Sequence, residues 1–156
     1  MLLRKQTSYN QTFSAKMEFN PTQRGYEAGV VLWWSNYSYA TIGVVGAPDE
    51  SDSKREVVVR SPGGTSQIVP AMTFPVPLTV ERVEFKIHAT PTSYELSISA
   101  NDKAMPLTVL AKDLTVAPPV GGAFTGVMFG VYSFGRGEPV LDPADFTDIV
   151  TKEHES

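Results

Sequence analysis

Cysteine is absent from this 156-residue chain. That removes a disulfide framework, a thiolate nucleophile and any cysteine-ligated zinc, although a sandwich that buries its own core can be secreted without disulfides. Histidine is scarce, with two copies. Serine-type catalysis needs a base held in place by a third group. His88 falls at an outward position of an alternating segment and His154 among the last residues, so both read as surface side chains. Excess positive charge is lacking: 13 Lys and Arg against 17 Asp and Glu leave a net charge of −4, which argues against nucleic acid as a partner. No apolar run approaches the roughly eighteen residues of a membrane-spanning helix, so no membrane role is expected. Gly121-Gly122 and Gly135-Arg136-Gly137 fit neither the P-loop nor the dinucleotide fingerprint. Residues 1–6 lack the long apolar region of a signal peptide and read like the middle of a strand, as if the start lay inside a domain.

What is present is alternation with a period of two. In FSAKMEF at 13–19, VEFKIHA at 83–89 and YELSIS at 94–99, every second residue is apolar, which sends one face of a strand to a core. Thr90-Pro91-Thr92-Ser93 links the last two as a hairpin. GVVLWW at 29–34 is apolar on both faces, as in a central strand. The turn Ser35-Asn36 leads into YSYATIGV at 37–44, and residues 57–59 and 124–132 supply further strands. Twelve prolines and twelve glycines punctuate these runs. Helical periodicity is almost missing, so the fold class is all-β, a sandwich or a barrel. One domain is expected over residues 1–150, followed by a polar tail, 151–156, that frays.

The carboxylates do not pair for hydrolysis, which needs two of them facing one cleft. Glu81 and Glu84 are an odd number of residues apart and so fall on opposite faces of a strand, and Glu18 stands alone. Asp49, Glu50 and Asp52 beside Lys54 and Arg55 read as a solvated turn. Asp142, Asp145 and Asp148, spaced by three around Pro143, could hold a structural Ca2+ through oxygen ligands, although the pattern is not that of an EF-hand. No cofactor is required. Asn10-Gln11-Thr12 and Asn36-Tyr37-Ser38 are sequons that make Asn10 and Asn36 candidate glycosylation sites.

Aromatic residues gather more suggestively. Trp33, Trp34, Tyr37 and Tyr39 fall close together, and Tyr132 and Phe134 close a later strand. A sugar presents an apolar C–H face with polar edges, and an aromatic platform flanked by hydrogen-bonding groups suits it. Alternation sends one of the two tryptophans inward and the other to the opposite face. Trp34, Tyr37, Tyr39 and Tyr132 are the candidates for carbohydrate contact, with plain core packing as the competing role for each.

Several segments resemble one family in its own order. LLRKQT at 2–7, FSAKMEFNP at 13–21, Glu27-Ala28-Gly29-Val30, AFTGVMFGVY at 123–132 and ADFTD at 144–148 are similar to the C-terminal concanavalin A-like domain of glycoside hydrolase family 43, the family of β-xylosidases and α-L-arabinofuranosidases. The resemblance implies a concanavalin A-like, jelly-roll sandwich of two antiparallel sheets, lacking its first strand or two and without the five-bladed propeller that carries the catalytic carboxylates. It implies a domain that is no enzyme by itself, binds xylan or xylo-oligosaccharide or packs on that propeller, and is secreted. A purely structural role in completing the propeller's active site is the alternative, and a free-standing sandwich glycosidase a distant third. Asp145 matches the closing segment, where lectin-like sandwiches often hold a cation, so Asp145 and Asp148 are the metal candidates.

Overall fold

The structure, a computed structural model, describes residues 1–36, 38–47, 54–60, 72–76, 80–100, 105–115, 126–135 and 137–155. The strands are β1 (Leu2–Lys5), β2 (Gln11–Phe19), β3 (Glu27–Ser35), β4 (Ser38–Gly46), β5 (Arg55–Arg60), β6 (Met72–Pro75), β7 (Arg82–Ala89), β8 (Tyr94–Ala100), β9 (Met105–Leu114), β10 (Met128–Phe134) and β11 (Ala144–Glu153), with no helix among the described residues. They form two sheets, ordered β1-β10-β3-β4-β5-β6 and β11-β2-β7-β8-β9. Every pairing is antiparallel.

Alternation fixes which side chains meet between the sheets. Phe13, Ala15, Met17 and Phe19 of β2 and Val83, Phe85, Ile87 and Ala89 of β7 are buried, while the residues between them are partly exposed. Ala28, Val30, Leu32 and Trp34 of β3 supply the facing layer. Each of the buried Val, Leu, Ile, Phe and Met side chains among them contributes roughly 1.5–3 kcal/mol from area removed from water. Aromatic contacts stitch the layers: Phe13 of the five-stranded sheet lies 5.9 Å from Phe129 of the six-stranded one, and Tyr94 meets Trp34 edge-on at 5.6 Å. At one end Arg55, itself buried, donates to the carbonyls of Phe19 and Val80 and so ties the sheets together. Its removal from water lowers its pKa.

The hairpin at 90–93 forms as the turn residues predict, with Thr90 N–H donating to Ser93 O at 2.9 Å and the Thr90 hydroxyl to the same oxygen at 3.0 Å. Phe74-Pro75, read as punctuation, instead ends the edge strand β6, where a proline's missing N–H costs no ladder bond to a further strand. The polar C-terminus does not fray at residue 150. In β11, Thr151, Lys152 and Glu153 pair with Phe13, Thr12 and Gln11 of β2. An edge strand beside a solvated face has no need of an apolar repeat, so polarity there gave no sign of the ladder.

Candidate functional site

Each sheet has an outer face, and the two differ. In β2 and β7 the outward positions are Thr12, Ser14, Lys16 and Glu18, and Glu84, Lys86 and His88. In β3 the outward positions are Glu27, Gly29, Val31 and Trp33, because the even-numbered residues face the core. Val31, Thr41 of β4 and Val58 of β5 are buried although they point away from the core. The outer side of the six-stranded sheet is therefore a second protected layer.

Glu27 is the centre of that layer. It is buried, and its Oε1 accepts hydrogen bonds from the Tyr132 hydroxyl at 2.5 Å and from Arg60 Nη1. The register makes this possible: Tyr132 stands opposite Gly29, which stands opposite Gly43. With no side chain at either glycine the Tyr132 ring crosses β3, and a Cβ at Gly43 would lie 2.5 Å from its hydroxyl oxygen. Burial, and next the Glu27 carboxylate, push the Tyr132 phenol well above its ordinary pKa. Burial works to lower Arg60, but the hydrogen bond to Glu27 and its charge outweigh this and leave Arg60 raised. The other carboxylate oxygen, Glu27 Oε2, is buried with no hydrogen-bond partner among the described residues. Glu27 is thus bound by a cation and a phenol rather than set against a second carboxylate, which is not the arrangement of a glycosidase pair.

The aromatic candidates separate by face. Trp34 is 1% exposed, lies in the core against Tyr94 and offers no ring to a ligand. The register of β3 puts Trp33, not Trp34, on the outer face. There Trp33 stands opposite Tyr39 on one side and Met128 on the other, and Tyr132 lies farther along β10. Trp33, Tyr39 and Tyr132 are half-buried and Phe134 is 48% exposed. Tyr37 lies outside the described residues.

The aspartates are dispersed among separate tasks. Asp142 accepts from Thr22 N–H at 2.6 Å and from the Thr22 hydroxyl. Asp145 is exposed on β11 opposite Glu18. Asp148 sits in the bulge of β11 with φ 49° and pairs with Lys16 Nζ at 2.7 Å. That hydrogen bond, with the lysine's charge behind it, lowers Asp148 and raises Lys16. No group of three or more His, Asp or Glu side chains converges as a cation would require, among the described residues. Of the sequon residues, Asn36 is exposed in the β3–β4 turn, whereas Asn10 is half-buried and its carbonyl accepts from His154 N–H.

Two sets of residues escaped the sequence reading. Glu27 carried a usable sign, since it is the one charge of the largely apolar strand β3, whereas Arg60 closes a strand that also holds Arg55 and Glu56 and so gave none. The histidines, read as unpositioned surface groups, are both held by Thr12: its hydroxyl lies 3.1 Å from His88 Nδ1 and 2.8 Å from His154 Nε2. Strand order brings them together, and no linear spacing announces it.

Two antiparallel sheets over one apolar core, with the outer face of the larger sheet also protected, define a concanavalin A-like β-sandwich. Residues 1–150 match the family described as the beta xylosidase C-terminal concanavalin A-like domain, and the chain belongs to that family, the C-terminal domains of glycoside hydrolase family 43. It is 32% identical over 144 residues to the non-reducing end α-L-arabinofuranosidase BoGH43B of Bacteroides ovatus, covering 92% of this chain and 26% of that protein. The solved Bacteroides ovatus xyloglucan-locus GH43B structure superposes with a TM-score of 0.76 at 31% identity, over 92% of this chain and 27% of the other. Xylan β-1,4-xylosidase from Bacillus halodurans shares the fold at a TM-score of 0.66 and 16% identity, over 92% of this chain and 28% of the other. The chain spans about a quarter of the length of these relatives.

Proposed function

We propose that this domain serves as the non-catalytic accessory sandwich of a family 43 glycoside hydrolase that removes pentose units, and that the outer face of its six-stranded sheet is the surface it turns to xylan-type carbohydrate. The observation that carries this reading is the asymmetry of the two outer faces. One is a solvated lattice of charges and hydroxyls, while the other sets Trp33 and Tyr39 side by side on strands whose further outward residues, Glu27, Val31 and Thr41 among them, are buried. Aromatic rings flanked by hydroxyls and a guanidinium offer what a neutral sugar ring needs, an apolar platform with polar edges. The substrate class comes from the arabinofuranosidase and xylosidase among the relatives.

Calorimetric titration of the purified chain with xylohexaose, repeated with Trp33→Ala, tests the reading. Saturable heat that Trp33→Ala abolishes is the expected result. Absence of binding to any pentose oligosaccharide by a folded chain would overturn it.

A second reading has its own support. The chain matches only about a quarter of each relative, so the remainder of such an enzyme includes a catalytic propeller against which this face could pack. In that case the chain binds a separately produced propeller, Trp33→Ala weakens that association, and sugar alone gives no heat.

A further inference from the structure

We propose that His88 and His154 form a two-histidine site for a divalent transition-metal cation of the zinc, nickel or copper class, on the outer face of the five-stranded sheet. The strand β2 runs between β7 and β11. Thr12 of β2 stands opposite His88 on one side and Lys152 on the other. His154 follows two residues after Lys152, where its backbone N–H donates to Asn10 O at 2.9 Å and fixes the end of the chain against β2. Its ring reaches back to Thr12, so that His88 Nδ1 and His154 Nε2 lie 3.1 Å and 2.8 Å from one hydroxyl oxygen. The ring centroids are 5.8 Å apart at an interplanar angle of 64°. Two imidazoles from opposite sides thus aim one nitrogen each at the same point.

A threonine hydroxyl has one proton, so it donates to one neutral imidazole and accepts N–H from the other. One aimed nitrogen therefore already presents its lone pair, and the other does so when its ring proton moves to the opposite nitrogen. Zinc takes imidazole nitrogen at roughly 2.0–2.1 Å. Small rotations of two side chains on the solvated face bring both nitrogens to that distance from a cation seated near the Thr12 hydroxyl. Nitrogen donors select zinc, copper and nickel, whereas calcium and magnesium select carboxylate and carbonyl oxygen. The charged neighbours do not complete a cage: Glu95 lies opposite His88 on β8, and the Glu153 carboxylate is engaged by the Thr7 hydroxyl at 3.0 Å. No third His, Asp or Glu joins the pair among the described residues, so water fills the remaining positions and the site is solvent-open. A bound cation would clamp the end of β11 to β2 and β7.

The test is calorimetric titration of the chain with ZnCl2 and NiCl2 at pH 7.5, with MgCl2 and CaCl2 for comparison, in wild type and in His88→Gln, His154→Gln and Thr12→Val. One transition-metal ion per chain is expected, with binding at least about tenfold weaker in either histidine variant while circular dichroism stays unchanged. Thr12→Val keeps both rings and retains binding. No saturable binding by wild type, binding that survives both histidine substitutions, or magnesium and calcium binding as tightly as zinc would overturn the proposal.

Discussion

Each outer face of the sandwich carries a glutamate paired with an arginine, and the two pairs sit in different media. Glu18 and Arg82 bridge β2 and β7 with their side chains 45% and 54% exposed. Glu27 and Arg60 join β3 to β5 with theirs 1% and 20% exposed. Water solvates the first pair whether or not it forms, so it contributes little. The second has left water, and each member depends on the other to offset the cost of burial. The same two residue types therefore act as an optional surface contact on one sheet and an obligatory internal one on the other.

The comparison breaks most directly by removing the acid. Glu27→Ala leaves Arg60 and Tyr132 without their acceptor and is expected to cost about 3–5 kcal/mol, whereas Glu18→Ala is expected to stay within about 1 kcal/mol. Urea unfolding of both variants measures the difference, and equal small costs would remove the distinction between the faces. Next in size is Gly43→Ala, which places a Cβ 2.5 Å from the Tyr132 hydroxyl oxygen and 2.6 Å from the Ala28 carbonyl oxygen. It is expected to destabilise by roughly 1–3 kcal/mol, while Ser14→Ala on the solvated face leaves the unfolding midpoint unchanged.

Tyr132→Phe sharpens the contrast through pH. Its phenol is raised in the folded chain, so the stability it contributes is complete below the ordinary tyrosine pKa of about 10 and is lost as pH rises through the folded value. The variant should lose about 1–2 kcal/mol at neutral pH and show a shallower alkaline decline than wild type in thermal melts between pH 8 and 11. The smallest effect belongs to Asp148→Asn on the solvated face. Asp148 is lowered by Lys16, so its contribution is present above the ordinary aspartate pKa and lost as pH falls through the folded value. Asparagine tolerates the positive φ, so the substitution isolates the charge. A slightly lower neutral midpoint that converges on wild type as pH falls, and so a slightly flatter acid limb, is the expected result.

The fold was legible where burial is one-sided. FSAKMEF and VEFKIHA declare their strands because alternate residues enter the core, and GVVLWW declares protection on both faces. The strands β9 and β11 were hidden for the opposite reason: they are edges broken by irregular register, with positive φ at Asp113 and Asp148, and most of their side chains meet solvent. Alternation gave the separation of Trp33 from Trp34 but not its direction, which depends on which face the neighbouring sheet covers. The sites were less legible than the strands. Glu27, Arg60 and Tyr132 meet only through the register of four strands, and Thr12 gathers two histidines that are 66 residues apart in the chain. Local patterns describe faces, and strand order decides which faces share a side chain.

The central claim is that the outer face of the six-stranded sheet is the working surface of this domain. The most direct test is to follow backbone and indole N–H resonances of the labelled chain while xylohexaose is added. The account predicts shifts at Trp33 and Tyr39 and along β3 and β4, with Thr147, Lys86 and Glu95 on the opposite face unmoved. Shifts confined to β2, β7 and β11, with Trp33 silent, would contradict it.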